Sequence, residues 1–575
     1  MADSTTTPDM SLSQSMEIKQ FITQLDSLHQ YLKGMRSDFE ADWELLIPEF
    51  RPEIGQLLWS GVTAIQHNSD LFSGYGAQAL KIWATGIVGN MFYPKPRWLD
   101  VAIDNRELMD NSQIKDYLQD WSQQLFYGFN RTNFYEVLPE VAADAGAAIG
   151  YMTPVDDDKR GRLHFLHDHI GDVWIGVDAL GYLDRVHREV HYSAVAAKEL
   201  FGEENLSPEI RLHLRDANNQ FKEHTFVHCM FPNPDHDPGR QEPYDAAFLP
   251  VASVYYEKST RWMNERSGIR SIPMAYRVHK YARQWYPYSP GQSALTDVLT
   301  DNMMSKSLNY VSQLSAQPPL VAPEALRRQV QAIPNGFTFY KESQIGQIAP
   351  LYQNALNYSI PKEERDLVRL SIDKWMSTPF FNMMTQIMQK TGQPPTAFQI
   401  SRAEAQNAIL LGPQVGSLIN DIGDPSVDAV WDWETRNSTV PEMPAILEDY
   451  LFEQLERTGI AKVETINEYT GILAQNQSRV IKQQNIIDAL SLSGMIIEQY
   501  PEAQHVLKAY PLMRGAMDST NIDQDTIAEQ AEYQEIVDQI KEDEQLMQQA
   551  ALQKNTSESY KNMTGAPEEG SPVAA

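Results

Sequence analysis

The chain has 575 residues, 42% of them hydrophobic and 10% aromatic, a composition that builds several packed modules and excludes a disordered or collagen-like polymer. Asp and Glu total 77 against 47 Lys and Arg, so the formal charge is -30, which excludes a basic surface that wraps DNA without regard to sequence.

The first segment with structure-forming character is Met16–Phe50, where Ile18, Phe21, Ile22, Leu25, Leu28 and Leu32 carry helical spacing, and a second helix is expected from about Asp70 to Gly89. Two prolines then bracket Lys95 and force an extended exit that Trp98 anchors. Asp110–Ala148 reads as helix, and Gly150–Tyr192 as short strands with turns at Gly161, Gly171, Gly176 and Gly181. Phe231–Pro250, dense in Pro, Gly and Asp, is an exposed loop between two strands. The region is α+β.

A cation-and-aromatic strand (Gly268 onward) and a Ser-Pro-Gly turn lead into the longest unbroken helical run, Ser293–Gln317, which at about 1.5 Å per residue reaches roughly 37 Å and stops at Pro318-Pro319. Leu295, Val298, Leu299, Met303, Tyr310 and Leu314 share one side, predicted to pack; Asp297, Asp301, Ser305, Asn309 and Ser312 descend another, predicted to be wet. Pro318–Ile360 breaks into short extended pieces, and a second long helix starts with Pro361 at its N-terminus and acidic Glu363 and Glu364 in its first turn. Pro379 is expected to kink it, Thr391–Ala397 to interrupt it with a loop, and Ser401–Ile422 to resume as helix. Met443 to about Tyr510 reads as helical, Asn521–Asn555 as an acidic, glutamine-rich helix, and Thr556–Ala575 as a disordered tail.

Catalytic signatures are sparse. His164, His167 and His169 could converge on a metal, but in a strand His164 points away from the other two, and ordinary strand histidines fit better. Cys229 and His228 are strand neighbours on opposite faces, so the only cysteine reads as a buried structural one; it also excludes an intrachain disulfide and fits a reducing compartment. The chain contains no Gly-Lys pair, hence no P-loop, and neither G-x-S-x-G nor H-E-x-x-H. Asp156–Asp158 reads as a solvated hairpin turn rather than a cation site. Arg277, Lys280 and Arg283 alternate with Tyr276, Tyr281 and Trp285, a pattern that serves nucleic-acid stacking or interface cation–π contacts equally well. Residues 1–16 lack a signal-peptide layout and no run approaches about 18 apolar residues, so a soluble protein made inside the cell is expected.

Taken in order, the segments resemble the portal, or head-to-tail connector, proteins of short-tailed bacteriophages. Gly86–Trp98 (GIVGNMFYPKPRW) looks like that family's helix and Pro-x-x-Trp exit, and Asn133–Gly150 like its helix ending in small residues. Val173–Tyr192 is similar to its strand, Asp-x-x-Gly turn and strand; Ile272–Pro323 to its strand, Tyr-x-x-x-Pro-Gly turn and first stem helix; Gln399–Asp424 to the helix carrying Leu-Gly-Pro. The departures are Tyr288-Ser289, where the family has Tyr-Gly, and Ser401-Arg402-Ala403-Glu404, where it has Thr-Ala-Thr-Glu.

The resemblance implies a predominantly helical α+β portal fold, with wing, stem, clip and crown, assembled as a ring of twelve. It places the wing at 1–267, a strand and first stem helix at 268–317, the clip at 318–360 and the second stem helix at 361–388. The tunnel loop follows at 389–398, a return helix at 399–442, the crown at 443–520 and the acidic tail at 521–575. Asp297, Asp301, Ser305 and Asn309 become channel-lining candidates, Lys390, Thr391, Gly392, Gln393, Pro394 and Pro395 the tunnel loop, and Arg327, Arg328 and Lys341 clip docking residues. No catalytic residue, metal or cofactor is implied. The implied partners are double-stranded DNA in transit, a terminase motor, capsid and scaffold proteins and a tail adaptor, with assembly in the host cytoplasm and a place in the virion. An acidic, neutral-polar bore lets DNA slide where a basic one would hold it. The competing readings are a metal-dependent hydrolase using the 164–169 histidines and another phage scaffold or core protein.

Overall fold

The computed structural model describes residues 12–54, 70–95, 97–109, 111–157, 160–236, 248–281, 284–316, 320–321, 349–350, 359–381, 410–437, 440–458 and 465–469, with Ile536, Gln539 and Met547 beyond them. Contacts divide the chain into two compact units, Met1–Ala474 and Gln475–Ala575. Helix and sheet are mixed throughout the first unit.

In chain order the elements begin with α1 (Leu12–Phe50), α2 (Tyr75–Met91), β1 (Leu99–Ile103), α3 (Arg106–Met109), α4 (Ser112–Arg131) and α5 (Phe134–Ala147). The strands β2 (Gly150–Asp157), β3 (Arg162–Asp168), β4 (Val173–Val177) and β5 (Leu183–Ser193) follow, then α6 (Ala194–Phe201), α7 (Pro208–Arg215), β6 (Glu223–Pro232), β7 (Val251–Glu257), β8 (Met263–Ile269) and β9 (Met274–Tyr276). The remainder comprises α8 (Pro290–Ala316), β10 (Leu320–Val321), β11 (Ala349–Pro350), α9 (Ser359–Trp375), α10 (Thr378–Phe381), α11 (Asp424–Asn437), α12 (Ala445–Thr458) and β12 (Thr465–Tyr469).

Along α1 the buried positions Ile22, Leu25, His29, Leu32, Arg36, Trp43, Leu46 and Phe50 recur at steps of three, four or seven, which places them on one seam. That seam packs Ile22 and Leu25 against Val227, Cys229, Val254 and Tyr256 of a five-stranded antiparallel sheet in the order β4-β5-β6-β7-β8. The other face of the sheet is covered by α6 and α7, through Ala197, Phe201 and Ile210 around Phe226. Alternation along β6 explains both layers, since Phe226 and Val227 must point opposite ways. The strands flanking the predicted Pro-rich loop are β6 and β7, paired from Phe226–Glu257 to Pro232–Val251.

A three-stranded sheet, β3-β2-β9, sits at the end of α5. The turn into it demands glycine: a Cβ on Gly150 would lie 1.9 Å from the Val141 carbonyl oxygen. The predicted single helix over 110–148 is two. Thr132 Oγ1 takes the Phe134 N–H at 3.1 Å, and Asn133 brackets the Phe165 backbone with hydrogen bonds of 2.8 Å in both directions, so side chains replace the helical ladder there. Trp98 anchors the exit from α2 as expected, buried and donating from Nε1 to Tyr135 Oη at 2.9 Å.

Two readings change near the end. Thr465–Tyr469, read as helix, is strand β12, paired with β1 from Leu99–Tyr469 to Ile103–Thr465, and Tyr469 stacks on Trp98 at 6.1 Å. The helix resuming before 422 does not stop there: residues 410–418 are helical, Ile419–Gly423 form a π turn, and α11 continues to Asn437. The wider turn accommodates Pro425, whose missing N–H and ring would break an ordinary helix.

Candidate functional site

The Ser-Pro-Gly segment is not a turn before a helix but the start of α8. Ser289 Oγ accepts from Gln292 N–H at 3.1 Å and Gln292 Oε1 accepts from Ser289 N–H at 2.9 Å, a reciprocal cap, with Pro290 in the first helical position. Ser289 Oγ also donates to the Ala147 carbonyl at 2.6 Å, so the cap is tied to the end of α5.

Beyond Pro290, itself buried, the buried positions of α8 among the described side chains are Gly291, Ala294, Val298, Asp301, Ser305 and Leu308, alternating steps of three and four. They form a seam of small and polar side chains, and α9 lies along it. Asp297 accepts from Ser371 Oγ at 2.6 Å and Trp375 Nε1 at 3.2 Å, while Asp301 accepts from Arg369 Nε at 2.8 Å. Residue numbers rise on one helix as they fall on the other, so the two run antiparallel. Ser73 Oγ also donates to Asp301, and Arg369 stacks over the Tyr75 ring at 4.7 Å, bringing the N-terminus of α2 into the same lock. Tyr75 Oη donates to Asp373 at 2.8 Å, and burial followed by that carboxylate raises its phenol pKa. Asn302 closes the back, donating to Glu49 at 3.0 Å and accepting from Phe72 N–H at 2.7 Å. Burial holds the Glu49 carboxyl above its ordinary range, with Asp301 adding to the shift.

This geometry corrects the sequence reading of α8. Asp301 is 1% exposed and Ser305 5%, so the stripe expected to be wet is turned into the chain. Asp297 is half-buried and committed to α9 in the same way; Asn309 alone of the four is exposed. On the side expected to pack, Val298 is buried and Leu295 and Leu299 are half-buried, but Met303 is 71% and Tyr310 63% exposed. Carboxylates can be buried here because their donors come from α9, about seventy positions away in the chain. Arg327, Arg328 and Lys341, and Lys390, Thr391, Gly392, Gln393, Pro394 and Pro395, lie outside the described residues.

The remaining motifs are committed to internal partners. His167 Nε2 meets Asp144 at 2.8 Å, His169 Nδ1 accepts from Gly171 N–H at 3.0 Å, and His164 faces Asn133 at 3.5 Å. Burial pulls the His167 pKa down but the Asp144 contact outweighs it, leaving a net rise; burial lowers that of His169. Among the described residues no group of three or more His, Cys, Asp or Glu is arranged to hold a metal. Cys229 finds a histidine across the strands, with His187 Nδ1 at 3.4 Å, but burial raises the thiol pKa and lowers the imidazole's to about 3, which disfavours a thiolate–imidazolium pair. Arg277 is buried, its backbone N–H reaching Asp421 of the π turn at 3.0 Å, and Lys280 Nζ holds the same carboxylate at 2.6 Å. Those cations are spent inside the fold. Among the described residues no helix is long and apolar enough to cross a membrane.

Residues 22–527 match the family described as bacteriophage head to tail connecting protein. The chain is 23% identical over 545 residues to the portal protein of Salmonella phage epsilon15, an alignment covering 93% of each. It is 22% identical over 533 residues to the probable portal protein of Bordetella phage BPP-1, covering 91% of each.

Proposed function

Because the chain belongs to the family of bacteriophage head to tail connecting proteins, we propose that it is a portal: a ring at one capsid vertex through which the genome is packaged, retained and ejected. The family is structural and not enzymatic, which disposes of the hydrolase reading. The observation that carries the proposal is the α8–α9 strut, in which Asp297 and Asp301 are paired with α9 within the subunit while Met303, Tyr310, Leu367, Leu370 and Trp375 stand at 50% exposure or more. A strut that turns the Asp297, Asp301 and Arg369 charges onto each other's helices while leaving large apolar side chains exposed is built to be covered by neighbours.

In the proposed assembly of twelve copies, α8 and α9 form the stem, 318–360 the clip and 443–520 the crown. Arg327, Arg328 and Lys341 dock a terminase motor and later a tail adaptor. Lys390, Thr391, Gly392, Gln393, Pro394 and Pro395 form the tunnel loop, and Asn309 is the channel-lining residue retained from the four candidates. Capsid and scaffold proteins surround the ring, assembly takes place in the host cytoplasm, and the finished particle carries the ring in the virion. The charge of -30 supports the passage of double-stranded DNA without a grip on it.

Negative-stain microscopy of the purified full-length protein tests this reading. Closed rings with a central hole are expected, and particles confined to monomers or open chains would overturn it. Deleting the tunnel loop is expected to leave rings intact and impair DNA translocation or retention.

A further inference from the structure

Between α2, α8 and α9 lies a cavity of about 360 Å³ whose wall includes Phe72, Tyr75, Ser305, Arg365 and Arg369. Among the described residues, two buried polar atoms of this wall have no partner: Ser305 Oγ, on a residue 5% exposed, and Arg365 Nε. An orphaned buried donor costs about 1–3 kcal/mol until an acceptor arrives, so the wall is complete only when an acceptor enters. The α2 N-terminus opens beside it, where Gly74 supplies no side-chain cap, and contributes the positive end of a helix dipole.

The charges select the kind of acceptor. Arg369 is already paired with Asp301, and Lys306 lies over the Phe72 ring at 4.9 Å. Among the described residues Arg365 has only a 3.5 Å contact with Asp366, whose side chain is 52% exposed, a surface pair of little strength. The uncommitted charge is thus positive, and a carboxylate suits it better than a neutral carbonyl. In a chain of net charge -30, carboxylates are abundant on other copies of the same chain.

We propose that this cavity is a carboxylate socket that receives Glu363 of a second copy of this chain, packed beside Arg365. The proposal rests on the ring reading. Rotation about a ring axis preserves height, so the socket on one subunit meets the opposite flank of the neighbouring strut within about a helical turn of the same level. On α9 that flank carries Glu363, which at 3.6 residues per turn lies about 200° around the helix from Arg365. Leu367, four residues on and 67% exposed, shares its face and has Phe72 as an apolar counterpart.

The test is assembly of full-length protein carrying R365E, E363R or both, read by mass photometry across a dilution series, with thermal unfolding as a control for folding. Each single reversal is expected to raise the concentration needed for rings by at least about tenfold, and the double reversal to restore it. Single variants that assemble like the parent overturn the socket while leaving the portal reading intact. So does a double variant that folds but is not rescued. A parent chain that forms no ring overturns both. A final arm adds inorganic phosphate to the dissociated protein: a melting shift in the parent that R365E abolishes, without any assembly defect, assigns the cavity to a free anion and ends the proposal.

Discussion

The sheet region around β4–β8 and the α8–α9 strut solve the same problem in opposite ways. In the sheet, apolar side chains go inward on both faces, Val227, Cys229 and Val254 toward α1 and Phe226 toward α6 and α7. Charges that enter it are satisfied in place: Glu189 collects His29 at 2.9 Å, Lys33, and Lys258 at 2.9 Å. Burial opposes ionisation of Glu189, but these donors hold its carboxyl well below the ordinary range. The strut instead buries Asp301 and Ser305 and exposes Met303 and Leu370. One region is finished as a single chain, and the other carries its cohesion in polar contacts and leaves its apolar surface for association.

Arg369→Met should break that contrast most severely. Asp301 would keep its burial and lose the cation at 2.8 Å, a loss that in comparable buried pairs costs about 3–5 kcal/mol. Hydrogen exchange of α8 and α9 amides is the direct readout, and the double variant Asp301→Leu/Arg369→Met should recover much of the protection. If the single change costs under about 1 kcal/mol, the polar seam is not what holds the strut.

A smaller effect should separate the sheet region by pH. His187 is fully buried, stacked on His29 at 5.6 Å, and burial, with His29 and Arg185 beside it, lowers its pKa to about 3. Because the folded value lies below the unfolded 6.5, the unfolded chain binds the extra proton, and stability falls as pH drops from 6.5 toward 3. Asp172 acts with the opposite sign, since burial and then Glu189 raise it to about 7, so its contribution is present at low pH and lost as pH rises toward 7. Comparing wild type with His187→Leu cancels Asp172. The wild type should lose about 2 kcal/mol more than the variant between pH 6.5 and pH 5. Identical acid limbs in denaturant titrations would show that His187 is protonated in the fold.

Ser289→Ala probes the joint between the two regions. It removes the Oγ half of the reciprocal cap, the acceptor of the Gln292 N–H, together with the 2.6 Å bond to Ala147, and leaves the Ser289 N–H on Gln292 Oε1, at an expected cost of about 1–2 kcal/mol in thermal or chemical unfolding. A cost below about 0.5 kcal/mol would mean that α8 is seated by packing alone.

The same joint shows what could be read from the sequence. The length of α8, the antiparallel return of α9 and the extended exit at Trp98 were legible because prolines and periodicity are local signals. The order of segments carried the family. What periodicity could not say is which stripe of α8 faces inward, because a buried aspartate is recognised only with its partner, and Arg369, Ser371 and Ser73 are distant in the chain. Strand β12 was hidden for the same reason: Thr465–Tyr469 is extended through its pairing with Leu99–Ile103, and its own residues do not demand it. The Ser-Pro-Gly segment, by contrast, carried a legible cap in Ser289 and Gln292.

The smallest effect on the subunit is also the sharpest test of why the strut is inverted. Met303→Ser and Leu370→Ser alter side chains 71% and 56% exposed, so each should change subunit unfolding by no more than about 0.5 kcal/mol. If these residues are covered in a ring, every closed assembly repeats the loss at each of its interfaces, and ring formation should fail in a variant whose monomer melts like the parent. A measurable loss of monomer stability would place the two side chains in the subunit's own core. Normal rings from the double variant would show that apolar surface on the strut does not hold copies together, leaving charge pairing of the kind proposed at Arg365 to do so.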